Sequence, residues 1–477
     1  MGVATRVKTL RQHVTFSRRF YVNCLQDCSS EQLCAESLIR HSVRSVTLAL
    51  SMRESIRPAS VISGTIQLPG DKSISHRYGM LAAIAEGTSK ITNYSTGADC
   101  QSTLACIQAL GAVIEKHDGV VSIHGRGLDG LRPPAAMLDA GNSGSTIRML
   151  SGILAAQPFV SCIGGDESLS RRPMDRVMRP LAEMGASIEA RENRFPPLTI
   201  RGTKLHAIEY RLPVASAQVK SCVLLAGLYA DGRTIVHENV RTRDHTEIAL
   251  REFGTDIEVQ RRSITLTGRP RLHGRDLRVP GDLSSAAFFL VAALIVPESN
   301  LTINGVGLNP TRSALLDFLV EMGATIRVLD VRQTGGELIG NILVQKSRIR
   351  GGVLEKERTA ALIDEIPVLA VLGAASEEGL EVRDAKELRV KETDRIATIA
   401  ENFRRMGLAI EVREDGFVVP GRQRFHAAEF DSFGDHRIAM AFAVAALAAD
   451  GTCVIENAEA ASVSFPEFFA TLHRIAE

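Results

Sequence analysis

The stretch LVEMGATIRV, Leu319–Val328, has the form of one joint of an α/β fold: apolar residues closing a helix, a glycine, then a β-branched strand. Leu319 and Met322 suit the last helical turn, Gly323 can take the left-handed conformation that ends it, and Thr325, Ile326 and Val328 favour extended backbone. The same pattern recurs as IQALGAVIE (Ile107–Glu115), LAEMGASIEA (Leu181–Ala190), LREFGTDIEV (Leu250–Val259) and FRRMGLAIEV (Phe403–Val412). Such a joint is common in any α/β protein, but repeats of the whole pattern roughly 70–85 residues apart suit a βαβαββ unit rather than a solenoid.

A second repetition, PGDKSISHR (Pro69–Arg77) and PGDLSSAAFFL (Pro280–Leu290), divides the chain into halves of about three units each. The pattern predicts two α/β domains. The first is residues 70–281; the second is 57–69 together with 282–477, the strand before Pro69 completing it. A cleft between them is the expected ligand site.

Composition bounds what such a protein can do. A hydrophobic share of 45% in 477 residues supports full cores, and no apolar run reaches the roughly 18 residues of a membrane span. A net charge of +1 and the lack of Trp argue against a general nucleic-acid binder. The cysteines (24, 28, 34, 100, 106, 162, 222 and 453) show no Cys-x2-Cys pair of a zinc site, and Cys222 and Cys453 lie in apolar runs, as core residues in a reducing cytoplasm would. Residues 1–56 differ from the rest, Arg-rich and poor in acids. They resemble a targeting peptide in composition but lack the apolar core of a secretory signal; the plainer expectation is a disordered extension, or an upstream start with Met52 as the natural first residue.

Several motifs place cations at the starts of elements. Asp71-Lys72-Ser73-Ile74-Ser75-His76-Arg77 follows a strand and a Pro-Gly turn and opens a helix, whose positive end with Lys72, Ser73 and Arg77 favours an anion; the spacing is not that of a Walker A loop. The glycine-rich turn Asn142-Ser-Gly144-Ser145-Thr146 lets backbone amides approach a phosphate or carboxylate, and Arg148 either points into the cleft or pairs locally. Arg171 and Arg172 precede a Pro-started helix, and at least one suits bidentate anion binding. Ser216-Ala217-Gln218-Val219-Lys220 offers hydroxyl, amide and ammonium, and Arg241–Glu247 is either more cationic lining around Arg243 or a solvated loop. Asp364 and Glu365 stand in an apolar surrounding that should raise an acid's pKa, although Asp364 could also cap the following helix. In Lys391-Glu392-Thr393-Asp394-Arg395 the spacing predicts Lys391 and Arg395 on one helical face with Glu392 beside them, and Arg437 starts another apolar helix. A GxGxxG match at Gly125–Gly130 is rejected, because Leu131-Arg-Pro-Pro134 cannot open the helix a dinucleotide site requires.

Taken together, PGDKSISHR, GNSGSTIR, RRPM, SAQVK, TRDHTE, IDEIP, ELRVKETDR, DHRIAMAF and SFPEF closely resemble the 5-enolpyruvylshikimate-3-phosphate synthase family of enolpyruvyl transferases, in the family's order over about residues 60–470. The resemblance implies two domains of three βαβαββ units each (an inside-out α/β barrel) closing on substrate. It also implies a monomer without metal or organic cofactor, acting on phosphoenolpyruvate and shikimate 3-phosphate. Carried over by motif, Lys72, Ser73, Arg77, Ser216, Ala217, Gln218, Arg243, Asp364 and Lys391 resemble shikimate 3-phosphate ligands. Lys72, Gly144, Arg172, Gln218, Arg395 and Arg437 resemble phosphoenolpyruvate ligands. Asp364 resembles the acceptor of the 5-hydroxyl proton and Glu392 a proton-transfer group at the phosphoenolpyruvate methylene, with Lys72 also at the reacting centre.

There are departures. Ser462 and Val463 stand where many members carry a Lys four residues before the Pro of SFPEF, and Ala217 replaces a second Ser. Both, with Lys220, resemble a subgroup less sensitive to glyphosate, whereas Gly144 is typical of sensitive enzymes. Two rivals remain at this level. A UDP-N-acetylglucosamine enolpyruvyl transferase would need a reactive loop cysteine near Arg172, which has no obvious match. A non-catalytic anion-binding relative would be expected to lose its acids before its cations, yet Asp364 and Glu392 are intact.

Overall fold

The five joint glycines all take left-handed backbone, with φ of +99° at Gly111, Gly185 and Gly254, +105° at Gly323 and +76° at Gly407. Each donates its N–H to the carbonyl three residues back, and the next residue donates to the carbonyl five back: Gly323 to Val320 and Ala324 to Leu319, with the same pair at the other four joints. That is the Schellman closure, which uses up the last helical carbonyls and turns the chain outward into a strand.

The structure, a computed structural model, describes residues 52–477; Cys24, Cys28, Cys34 and the extension expected up to Ser51 lie outside the described residues. Each joint sits in a four-stranded sheet of one topology. Glu209–Arg211 runs parallel to Arg233–His237, which pairs antiparallel with Ser263–Thr267, itself antiparallel to Ile257–Gln260. Helix Ala217–Gly227 bridges the parallel pair and helix His245–Glu252 leads from Arg233–His237 to the edge strand Ile257–Gln260, which gives the βαβαββ unit. Five sheets share this order. The sixth has three strands: Glu54–Ile56 lies antiparallel on Cys453–Glu456, the place that the last strand of the unit takes in the other sheets, and among the described residues there is no glycine-joint strand at the edge. A boundary at residue 56 is therefore too late, because this strand is integral to the last sheet.

Helices lie inside and sheets outside, for a reason visible in the side chains. Leu283–Ile295 is apolar all round and every one of its residues is buried, as are all those of His436–Ala446. A helix without a polar face can only be covered on every side. Two apolar cores result: one is built from residues between Ile74 and Val279, the other from Ile56–Leu68 with Leu283–Ile475.

The chain passes between the halves at the two Pro-Gly-Asp motifs, which lie against each other. Ser63–Gln67 joins the sheet of Asn300–Gly307, and Asp276–Arg278 joins that of Thr88–Thr92. Asp71 donates its N–H to Pro280 O at 2.7 Å and Asp282 to Pro69 O at 3.1 Å. Gly70 is required at this crossing: a Cβ there would lie 1.9 Å from Asn93 O. The residues after Gly125–Gly130 form no helix, as expected, and among the described residues no helix is long and apolar enough to cross a membrane. Cys222 and Cys453 are buried and unbridged.

Candidate active site

Six elements present their first residues to one hollow. Asp71 caps helix Lys72–Ile84 by accepting from Ile74 N at 2.9 Å, which leaves Lys72 and Ser73 half-buried on its opening turn. Ser143 caps Gly144–Leu154, Ser216 caps Ala217–Gly227, Asp394 caps Arg395–Arg405 and Asp435 caps His436–Ala446, each through its side chain. Glu365 precedes Ile366–Ala375 without a side-chain cap. Asp364 is thus not a cap, and its carboxylate is left for the hollow.

Asp364 gathers cations from separate segments. Its carboxylate lies 2.7 Å from Arg243, 3.4 Å from Lys391 and 3.7 Å from Arg395, and its carbonyl accepts from Arg437 at 2.9 Å. Glu392 is 2.6 Å from Arg395 and 3.5 Å from Arg172. Arg243 and Arg172 come from the first half of the chain and both acids from the second, so each carboxylate pairs across the halves.

A raised pKa for Asp364, as its apolar flanks suggest, is not what the structure gives. Burial does push the carboxyl up, but Lys391, Arg437, Arg243 and Arg395 together outweigh it and hold it well below the usual carboxylate range. Glu392 behaves alike, with burial opposed and overcome by Arg395, Arg172 and Lys391. Both acids are ionised in the ligand-free site.

The remaining predicted residues have definite places. Lys72 Nζ is 3.1 Å from Asp99, which with Glu392 holds the ammonium charged against burial. Arg172 donates to the Asn142 side chain at 2.6 Å and backbone at 3.2 Å. Gln218 accepts from Arg148 and donates to Ser145, both at 2.9 Å, so Arg148 pairs locally. Gly144 faces two guanidiniums: a Cβ there would lie 2.9 Å from Arg148 Nη1 and 3.6 Å from Arg172 Nη1. Arg77 is buried, clamped by Thr246 at 2.6 Å, Ser221 at 2.7 Å and Ser73 O at 2.8 Å.

Two expectations need correcting, those for Lys391 with Arg395 and for Lys220, and one choice is narrowed, that between Arg171 and Arg172. Lys391 and Arg395 do not share a helix: Lys386–Val390 is a 3-10 turn, Lys391 is extended, and the helix starts at Arg395, so they converge through a loop. Arg171 is exposed and paired with Glu167, leaving Arg172 as the inward guanidinium. Lys220 does not reach the hollow; it is fully buried against Glu238 and Glu247. Ser462, exposed, turns its hydroxyl back to Glu459 O at 2.6 Å.

Sequence reasoning missed the partners that hold the cations. Asp435 reads as a helix cap, which it is, yet it also grips Arg395 at 2.8 and 3.2 Å. Asp99 had no motif to mark it. His436, buried with both ring nitrogens unpartnered, is kept neutral by burial and by Lys72. Arg395 Nη1 and Arg172 Nε are likewise buried without a hydrogen-bond partner, donors available to a ligand.

A hollow on which Lys72, Arg172, Arg243, Lys391, Arg395 and Arg437 converge, with two ionised acids between them, defines an enzyme that handles paired polyanionic metabolites. The EPSP synthase (3-phosphoshikimate 1-carboxyvinyltransferase) family model matches residues 56–472. A 3-phosphoshikimate 1-carboxyvinyltransferase of Solibacter usitatus is 68% identical over 426 residues, 89% of this chain and 100% of the relative. One from Koribacter versatilis is 54% identical over 423 residues, 88% of this chain and 99% of the relative. The EPSP synthase structure from Acinetobacter baumannii superposes with a TM-score of 0.79 at 42% identity, covering 89% of this chain and 98% of that one. The chain belongs to the EPSP synthase family and has its two-domain inside-out α/β fold. It is an enzyme, a transferase of the 1-carboxyvinyl group to 3-phosphoshikimate in aromatic amino-acid biosynthesis.

Proposed function

We propose that the hollow binds shikimate 3-phosphate and phosphoenolpyruvate side by side and that Asp364 and Glu392 move the protons. Lys72, Ser73, Arg77, Ser216, Ala217, Gln218, Arg243 and Lys391 hold shikimate 3-phosphate; Lys72, Gly144, Arg172, Gln218, Arg395 and Arg437 hold phosphoenolpyruvate. The observation that carries this is the pairing of each acid with a cation from the other half, Asp364 with Arg243 and Glu392 with Arg172. Substrate anions compete for those same cations.

The chemistry follows from that exchange. As phosphate and carboxylate take over Arg172, Arg395, Arg437 and Lys391, the charge that depresses Asp364 and Glu392 is neutralised and burial dominates, so both pKa values rise toward a useful range. Glu392, taking up a proton from solvent as its pKa rises, delivers it to C3, while Asp364, still ionised, accepts the 5-hydroxyl proton as the oxygen bonds to C2 of phosphoenolpyruvate. The tetrahedral intermediate loses a C3 proton back to Glu392 and expels phosphate, which leaves with the proton held on Asp364, restoring the double bond and both acids and giving 5-enolpyruvylshikimate 3-phosphate. The cations stabilise the phosphate and carboxylate throughout, in a site from which closure excludes water.

The two apolar cores support a division into residues 70–281 and 57–69 with 282–477, the N-terminal strand from Glu54 joining the second domain. The enzyme works as a cytoplasmic monomer, and light scattering on the purified chain checks the oligomeric state. Phosphate release from phosphoenolpyruvate with shikimate 3-phosphate tests the whole assignment. Turnover with UDP-N-acetylglucosamine instead, or with neither, refutes it.

A further inference from the structure

Lys220 is among the largest fully buried side chains of the described protein, and nothing in the proposed reaction uses it. Its ammonium lies 3.0 Å from Glu238 and 2.7 Å from Glu247, whose side chains are only 4% and 2% exposed. One cation cannot balance two carboxylates, and the nearby guanidinium of Arg77, which Glu247 attracts, completes the balance.

Each member of this cluster leads to a residue of the hollow. Glu238 accepts the Thr242 N–H at 3.1 Å and also the Thr242 hydroxyl, fixing the loop immediately before Arg243. Ser221, next to Lys220, and Thr246, next to Glu247, hydrogen-bond each other at 2.6 Å and together accept from Arg77 Nη2 and Nε. Arg243 and Arg77 are thereby set from below by the same buried charges.

We infer that Lys220, with Glu238 and Glu247, is a positioning residue for shikimate 3-phosphate: it orients Arg243 and Arg77 without touching the ligand. The inference rests on the substrate assignment proposed above. Losing the ammonium strands two carboxylates in the core, and the loop and the hydroxyl pair adjust to separate them.

The test is calorimetric titration of shikimate 3-phosphate into full-length protein, with KM for each substrate and the melting temperature. Lys220→Met weakens shikimate 3-phosphate by about tenfold or more and moves the phosphoenolpyruvate KM less than about threefold. Lys220→Met/Glu247→Gln removes one charge of each sign and returns affinity to within about threefold of the parent. Thr242→Val, outside the core, weakens it about three- to tenfold at unchanged melting temperature. A double variant as weak as the single one, or a Thr242→Val variant that binds like the parent, overturns the inference; should Lys220→Met not fold, the Thr242→Val result decides. Parent enzyme that fails to bind shikimate 3-phosphate instead overturns the substrate assignment.

Discussion

Replacing Asp364 by Asn keeps the shape of the side chain and removes both its charge and its basicity. In the free site the carboxylate lies 2.7–3.7 Å from three cations, Arg243, Lys391 and Arg395. Each such pair at about 4 Å attracts by roughly 4 kcal/mol at an effective dielectric of about 20, before desolvation is subtracted. A substrate phosphate or carboxylate must share those cations with Asp364, so the neutral amide lowers the competition for them. The hydrogen bond that the ionised acid accepts from the 5-hydroxyl is lost at the same time, at about 1.5–3 kcal/mol. The two effects oppose, and Asp364→Asn should leave the Kd for shikimate 3-phosphate within about fivefold of the parent. Turnover has no such compensation: removing a positioned proton acceptor costs about 10²–10⁴ in kcat. Phosphate release gives kcat, titration without phosphoenolpyruvate gives Kd, and thermal melting reports the fold. Equal losses in kcat and affinity, or a collapsed melting temperature, would show Asp364 to be structural.

Lys391→Met should abolish detectable turnover while the melting temperature stays within a few degrees, because Lys391 lies on an extended, part-exposed segment and pairs with Asp364 at 3.4 Å; phosphate release and calorimetry check this together. Gly144→Ala places a methyl 2.9 Å from Arg148 Nη1. That guanidinium must shift off Gln218 and crowd Arg172, so the phosphoenolpyruvate KM should rise about tenfold with little change for shikimate 3-phosphate, measured by varying each substrate in turn. Asp71 gives a pH test: burial opposes its charge, but Arg312, the Ile74 N–H and Arg243 act together against it, and the carboxyl is held down at about 2. A folded-state pKa below the unfolded one near 3.8 contributes stability that is fully present above about pH 4 and lost as pH falls toward 2, on the order of 2 kcal/mol. Asp71→Asn should flatten that acid limb in melting curves taken from pH 6 to 2, and an unchanged limb would contradict it.

The fold was readable because its joints are chemically demanding. Gly323 and its four counterparts sit at positive φ, where other residues are strained, and the apolar helices carry no polar face to expose. The sixth sheet was not readable, since its antiparallel strand, Glu54–Ile56, comes from the other end of the chain and shows no glycine joint. Within the site, the cations at element starts were visible as motifs, whereas their partners were not. Asp99 meets Lys72 across 27 residues and Asp435 meets Arg395 across 40, and nothing local marks either contact. Lys220 shows the same limit from the other side: SAQVK places it beside Gln218, and only the helix rotation, which turns Gln218 outward and Lys220 inward, separates a ligand contact from a core ion.

That misreading of the acids and of Lys220 has one physical origin. Apolar flanks say how much a charge loses on burial but not what surrounds it in space, and in this protein the surroundings decide. Asp364 is largely withdrawn from water as its flanks imply, yet Lys391, Arg437, Arg243 and Arg395 hold it ionised, and Glu392, whose flanks are polar, is held likewise by Arg395 and Arg172. The arrangement is self-neutralising without substrate: the acids stand in for the anions the cations are built to hold. Binding then becomes an exchange of anions rather than the filling of a purely positive hollow, which lowers the repulsion among cations that the empty site would otherwise bear. On the proposed assignment, the same exchange would change the acids from spectators to proton carriers, because each would lose its cations as the substrate that needs its proton chemistry arrives.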